Sequence, residues 1–493
     1  MPKPNILFIL SDDQRFDTIG ALGNPYIHTP NLDALCDRGV AFRQSFCTTP
    51  ICTPARAEIL TGRQSFANQV PWFGMPINPE LTLLPRCFQD AGYHTIHVGK
   101  WHNDGHPRDK GYSVTRRVGY MDNLNDYNTF GHRMRFAEAA SPPAPLPRGT
   151  SGEGSQRMVE GHATELFTDA ALEELAAAPT DQPWFCYLAY TAPHDPHDSP
   201  EPFASMYDPA RMPLLPNFMP EHPFDNGDMV IRDELLENWP REQEAMRRYR
   251  ARYYGIISHM DHHIGRLLGQ LRLSGALDNT IIVFTGDQGL AIGSHGLLGK
   301  ENMYDHSLSS PLIISGPGVP AGGRSQALVH HVDLYPTLCE LSGVGRPASA
   351  SDGFSLAPLL RGEQASVRED VFCQFYSPEY LEGPMRWTQR ALRTERWKLT
   401  WYPLSGRFQV FDLQYDPHEL VDLLTPWRTR QRERLAAGVK VWWKDKWAPR
   451  DMRPEYAQAE IEAVATDLHE RLLAQMERTG DPLLSEQRPP SPV

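Results

Sequence analysis

Apolar and polar positions along this chain follow two periods, and the change from one to the other marks out its elements. The runs Asn5 to Leu10, Thr95 to Val98, Trp184 to Tyr190 and Thr280 to Thr285 are short, nearly all apolar and rich in β-branched and aromatic residues. That is the pattern of strands buried on both faces of a parallel sheet. Helical stretches separate such runs over roughly the first 340 residues. The alternation predicts an α/β fold, a large, mainly parallel sheet sandwiched by helices. Each run leads into polar residues: Asp12 and Asp13, Lys100 and His102, His194 and His197, Asp287 and Gln288. Ligands of open α/β sheets sit beyond the carboxyl ends of the strands, so these distant residues are expected to meet in one site.

From Arg247 to Leu271 the period becomes helical, with Tyr253, Ile256, Ile257, Met260, Ile264 and Leu267 on one face. His259, His262 and His263 on this helix are expected at its surface or boundary. Two stretches rich in Pro, Gly and charge, Asn103 to Gly161 and Pro200 to Glu242, read as excursions from the sheet that shape a pocket mouth. A composition shift over Pro347 to Val367 precedes the runs Gln389 to Arg393, Trp397 to Tyr402 and Phe408 to Asp412, which predict antiparallel strands. The expected division is a catalytic domain over 1–365 and a smaller C-terminal α+β subdomain over 366–493. Within the latter, Pro426 to Arg450 carries Trp442, Trp443 and Trp447 and reads as an amphipathic packing helix.

Composition narrows the function. The chain of 493 residues is 40% hydrophobic and 22% charged, which suits a folded protein with a sizeable core and excludes a disordered one. Its formal net charge of −13 disfavours nucleic acid as a partner. The apolar run Ile6 to Leu10 is far short of the roughly 18 residues of a membrane span. The expectation is therefore no signal peptide, no membrane partner and a cytoplasmic location, unless an export segment precedes this sequence. Seven scattered cysteines without a CxxC pair fit reduced thiols rather than a disulfide framework.

The sharpest local feature is Cys52-Thr53-Pro54-Ala55-Arg56, followed by Thr61-Gly62-Arg63. Pro54 suits a first helical turn and Gly62 a C-terminal cap, so Cys52 is expected at a helix N-terminus beside Arg56. Such a setting favours a reactive thiol, whereas Cys186, inside a strand, reads as structural.

Cys-x-Pro-x-Arg with Thr-Gly-Arg resembles the signature of the type I, formylglycine-dependent sulfatases of the alkaline-phosphatase-like superfamily. Asp12-Asp13, Gly99-Lys100-Trp101-His102, Pro193-His194-Asp195-Pro196 and Gly286-Asp287-Gln288-Gly289 with Lys300 are similar to that family's motifs and stand in its order. The likeness is strong from residue 4 to about 345 and looser over Arg390 to Leu423, and it is greatest with bacterial carbohydrate sulfatases. It implies a sulfuric ester hydrolase in which a maturase converts Cys52 to formylglycine. Hydrated to a geminal diol, that side chain attacks sulfur through one hydroxyl and expels sulfate when the second loses its proton, a step closed to Ser or Cys.

By the same resemblance, Asp12, Asp13, Asp287 and Gln288 bind one calcium ion together with the modified Cys52. An all-oxygen set of this kind suits a hard cation. Gln288 departs from the Asn of many relatives, placing its amide oxygen one methylene further out. Lys100 and Lys300 are implied as sulfate clamps, Arg56 as stabiliser of the nucleophile, His102 as helper in release of sulfate, and His194 as proton donor to the leaving alcohol. His197, His295 and His306 are weaker candidates for supporting contacts. Trp72, Trp101, Asp104, His106 and Arg108 are candidates for a sugar subsite, since the expected substrate is a sulfated saccharide or other small molecule. Two alternatives remain open: a phosphonate monoester or phosphodiester hydrolase on the same fold, and a non-catalytic, calcium-stabilised binding protein.

Overall fold

A computed structural model describes residues 3–119, 132–139, 156–227, 229–350, 352–376, 388–425 and 456–493. Its first ten strands are β1 (Asn5–Ser11), β2 (Val40–Phe46), β3 (His94–Lys100), β4 (Val114–Gly119), β5 (Arg133–Ala139), β6 (Gln156–His162), β7 (Trp184–Ala189), β8 (Thr280–Gly286), β9 (Leu312–Ser315) and β10 (Gly323–His330). Eight of them form one sheet in the order β10-β2-β9-β8-β1-β7-β3-β4, in which only β9 pairs antiparallel to its neighbours. The four runs singled out in the sequence are β1, β3, β7 and β8.

Alternation along these strands divides the core between the two faces of the sheet. The helices that cover it include α1 (Pro30–Arg38), α2 (Cys52–Thr61), α3 (Ala163–Ala177) and α4 (Gln243–Leu273). Phe8, Tyr187 and Val283 point one way, towards Ala57 and Leu60 of α2. Leu7, Ile96, Leu188 and Ile282 point the other way, where they meet Leu32 and Leu35 of α1, Phe167 of α3 and Ile256, Met260 and Ile264 of α4. These side chains are almost wholly buried, and each contributes about 1.5–3 kcal/mol by leaving water.

Register fixes where the site lies. Leu10 pairs with Ala189 and Thr285, Ser11 with Gly286, and Gly99 with Ala189. The carboxyl ends of β1, β3, β7 and β8 therefore finish level, and their following loops share one edge.

A second, antiparallel sheet comprises β11 (Asp370–Phe375), β12 (Gln389–Thr394), β13 (Trp397–Tyr402) and β14 (Arg407–Asp412). One side packs Leu399, Trp401 and Val410 against Leu468, Leu472 and Met476 of a late helix, Gln458–Thr479. The other meets the first sheet through Val371, Cys373 and Ala391 against Phe46 and Leu328.

Two sequence expectations need correction. The stretch Asn103 to Gly161 is more than an excursion: β4 extends the main sheet at its edge, and β5 pairs with β6 as an antiparallel hairpin. His259 and His263 are buried rather than at the surface or boundary of the helix. Their Nε2 atoms lie 3.1 Å apart, and the His162 ring meets His259 edge-on. The helix expected over Pro426 to Arg450, with Trp442, Trp443 and Trp447, lies outside the described residues. Among the described residues no helix is long and apolar enough to cross a membrane.

Candidate active site

At the end of β1, Asp12 donates its amide to Ala192 O, and Asp13 takes a positive φ of 61°. That turn directs both carboxylates off the sheet edge. The Asp13 amide reaches Asp287 Oδ1 at 3.1 Å, while the Asp287 amide reaches Ser11 O, so the ends of β1 and β8 are stitched together.

Cys52 occupies the first position of α2, after an extended Ile51, and Gly62 ends the helix at a φ of 64°. Pro54 lies within the first turn, as read from the sequence. The Cys52 thiol lies 3.3 Å from Asp12 Oδ1, and Gln288 Nε2 donates to its sulfur at 3.1 Å and to Asp13 Oδ1 at 2.6 Å. Arg56, one helical turn on, spans Asp287 Oδ2 through Nε at 3.0 Å and Nη2 at 2.8 Å. Lys300 Nζ reaches Asp13 Oδ2 at 2.7 Å, and Lys100 Nζ pairs with Asp12 Oδ2. His194 Nε2 is 3.6 Å from Asp13 Oδ2. The residues singled out by motif thus converge around position 52.

His102 enters less directly. It holds a positive φ of 57°, and its ring stacks on Phe73 at 5.4 Å. Its neighbour Asn103 donates to Thr53 O, which ties this loop to the start of α2.

Burial amplifies every charge here. Asp12 is desolvated, which alone would raise its pKa, yet Lys100 and Arg56 hold it well below the usual carboxylate range. Asp287 is pushed up to about 7 by burial and by Asp12. His102 is held far below the ordinary imidazole value by burial and Lys100, so its ring is neutral. The Cys52 thiol is driven up by burial and Asp12. This corrects the expectation of a reactive thiol, because the helix N-terminus and Arg56 are outweighed by desolvation and the adjacent carboxylate.

The donor set suits a hard cation. Ligand atoms of Asp12, Asp13 and Cys52 lie within 4.8 Å of one another. The buried Gln288 Oε1 has no hydrogen-bond partner, and rotating the amide would turn that oxygen towards Asp13 and Cys52. Carboxylates and an amide oxygen fit calcium or a similar ion.

Other candidates fall outside this centre. Trp101 is 2% exposed, packed edge-on to His97 and Tyr112, and Trp72 is 8% exposed against Phe375, so neither presents a face to a sugar. Asp104 accepts from the Ile77 amide and Lys110, and His106 accepts from the Arg108 amide; both brace their own loops. His197 packs on Tyr249 and Tyr253. His295 and His306 stack with Tyr304 towards the second sheet, where His295 Nε2 meets Glu419 O. Sequence reasoning missed Tyr253, whose hydroxyl donates to Asp13 O and accepts from the Arg15 amide, because it passed for an apolar helix position.

Comparison with known proteins gives the following likenesses. A family model described as Sulfatase matches residues 4–344, and one described as N-sulphoglucosamine sulphohydrolase, C-terminal, matches residues 293–441. The arylsulfatase of Clostridium perfringens is 27% identical over 466 residues, covering 87% of this chain and 92% of that protein. The N-acetylglucosamine-6-O-sulfatase of Bacteroides thetaiotaomicron is 26% identical over 481 residues, covering 85% and 82%. Among solved structures, BT4656 in complex with its substrate D-glucosamine-2-N,6-O-disulfate aligns with a TM-score of 0.75 at 23% identity, covering 98% of this chain and 100% of that one. The phosphonate monoester hydrolase of Silicibacter pomeroyi aligns at 0.70 and 25% identity, covering 98% and 97%.

Proposed function

The chain belongs to the sulfatase family and is a sulfuric ester hydrolase, and on that premise we propose that it removes sulfate from a carbohydrate, using formylglycine at position 52 and one calcium ion. The observation that carries this reading is the convergence on Cys52 of Asp12, Asp13, Asp287 and Gln288 with Lys100, Lys300 and His194. A maturase would make the modification, and a sulfated saccharide is the substrate class, in line with the relative that acts as an N-acetylglucosamine-6-O-sulfatase.

Calcium, when bound, supplies fixed positive charge beside the sulfate group, and formylglycine supplies an oxygen nucleophile in place of the thiol. Asp12, Asp13, Asp287 and the Gln288 amide oxygen would hold the ion together with residue 52. Lys100 and Lys300 bind the sulfate oxygens and neutralise the ester's charge, which otherwise repels a nucleophile. Arg56 orients Asp287 through two nitrogens. His194 Nδ1 faces the Asp195 carbonyl oxygen at 2.8 Å, so it carries a hydrogen, and Nε2 delivers the proton to the leaving alcohol oxygen. His102, kept neutral by burial and Lys100, is a hydrogen-bonding rather than a proton-storing group in the loop that Asn103 ties to the start of α2.

The test is a panel of position-defined monosaccharide sulfates beside phosphonate and phosphate diesters, with calcium saturating. Preferred turnover of one sugar sulfate is expected. Preference for phosphonate esters would favour the second reading, which the likeness to a phosphonate monoester hydrolase keeps in view. Mass spectrometry of the peptide spanning 44–56 should find the aldehyde at Cys52, and an active enzyme without it would overturn the formylglycine reading.

A further inference from the structure

Three consecutive residues, Arg232, Asp233 and Glu234, touch both loops that carry the proton donor and the sulfate clamp. Arg232 grips the Asp195 carboxylate with two nitrogens, Nη1 to Oδ1 at 2.7 Å and Nη2 to Oδ2 at 2.5 Å. Asp195 in turn faces His194: its carbonyl oxygen is 2.8 Å and its Oδ1 3.2 Å from His194 Nδ1. Asp233 lies 3.8 Å from Lys300 Nζ and 2.9 Å from Arg232 Nη1. Glu234, 2% exposed, accepts the amide of Leu298 at 2.9 Å and that of Gly299 at 2.8 Å, the two residues that precede Lys300. Arg241 holds that carboxylate at 2.5 Å and also donates to Gly296 O at 3.1 Å.

Contact between the two segments is close. A Cβ at position 299 would lie 2.9 Å from Asp233 Cβ and 3.2 Å from Glu234 Oε1, so only glycine lets the Lys300 loop approach so nearly.

We propose that Arg232, Asp233 and Glu234 are positioning residues, a brace that fixes the separation between His194 and Lys300. The inference rests on the reading that both act on one sulfate ester, Lys300 on a non-bridging oxygen and His194 on the bridging one. Their loops follow different strands, β7 and β8, so their alignment depends on whatever joins them. Misplacement by about 1 Å is enough to cost on the order of 100-fold in rate. Charged bidentate and backbone-directed bonds suit a brace of this kind, because they fix orientation as well as distance.

The test uses the full, matured chain with calcium, and two esters that wild type hydrolyses: an aryl sulfate whose phenol leaves without a proton, and a sugar sulfate whose alcohol needs one. Glu234→Gln is expected to lower kcat/KM about tenfold in the wild-type background and less than about twofold in a Lys300→Ala background. Arg232→Gln is expected to slow the sugar sulfate about tenfold more than the aryl sulfate, with less than about twofold further loss in a His194→Ala background. Losses that add in every background and fall equally on both esters would overturn the brace. Should Glu234→Gln lose its native circular dichroism, Arg232→Gln decides, because Arg232 is 47% exposed in its side chain and its replacement spares the core. A wild type inactive on all sulfate esters would overturn the functional reading and the brace with it, whereas additive losses in an active enzyme would overturn the brace alone.

Discussion

At position 52 the thiol is buried 3.3 Å from Asp12 and kept protonated by burial and that carboxylate. An unmodified cysteine there is a poor nucleophile, and its replacement by a methyl group removes little packing. Cys52→Ala is accordingly expected to cut sulfate release by more than about 10³-fold while the melting temperature stays within a few degrees of wild type. Near-normal turnover in that variant would end the formylglycine account. The neighbouring oxygens give a second prediction, for the ion. Calcium at about 100 times its dissociation constant should stabilise the fold by about 2.7 kcal/mol, read as a rise in melting temperature over a chelated sample. Asp13→Asn should abolish that rise; an equal rise in both proteins would place the ion elsewhere. Most of these residues were legible in the sequence, because they sit in short motifs at the carboxyl ends of strands or, for Cys52, at the start of the helix that follows one. The burial that silences the thiol was not, since it depends on Asp12, 40 residues away in the chain.

Among the elements, β3 illustrates how a strand places a charge. Gly99 takes a φ of 94°, and a Cβ there would meet Ala189 O of β7 at 2.1 Å. Glycine is required both by conformation and by space, and Lys100 is the next residue. Gly99→Ala should destabilise the protein by about 2–4 kcal/mol in chemical unfolding and reduce kcat/KM, since strain and displacement act together on the Lys100–Asp12 pair. A variant as stable and active as wild type would show that β3 and β7 can part without moving Lys100. The central strands were readable because strands buried on both faces leave unbroken apolar runs. The β5–β6 hairpin was not, because its partners hide in a stretch dominated by loop-forming residues. Trp101 misled for a related reason: beside a motif lysine it looked accessible, yet it follows the strand into the core against His97 and Tyr112.

The whole molecule buries titratable groups of two opposing kinds, and together they set its response to pH. Burial pushes imidazoles down, to about 3 at His97, His197, His295 and His331 and to about 4 at His132, His162 and His222. An unfolded chain binds those protons near pH 6.5. Between about pH 6.5 and 4 the unfolded state therefore takes up protons that the folded state refuses, and stability falls as pH falls. Burial raises certain carboxyls instead, to about 8 at Glu58 and about 7 at Glu234 and Glu419. For these the folded state keeps protons that the unfolded chain loses above about 4.5, so their contribution declines as pH rises towards 8. The imidazoles are the more numerous, and they dominate on the acid side of neutrality, where both sets titrate; above pH 6.5 only the carboxyls remain in play. Stability is thus expected to peak near pH 6 to 7, with a steep acid limb and a shallower alkaline one. Differential scanning calorimetry in buffers of matched ionic strength should find the melting temperature lower by more than about 5 °C at pH 5 than at pH 6.5. A flat profile over that interval would mean that the buried histidines are solvated in the folded protein.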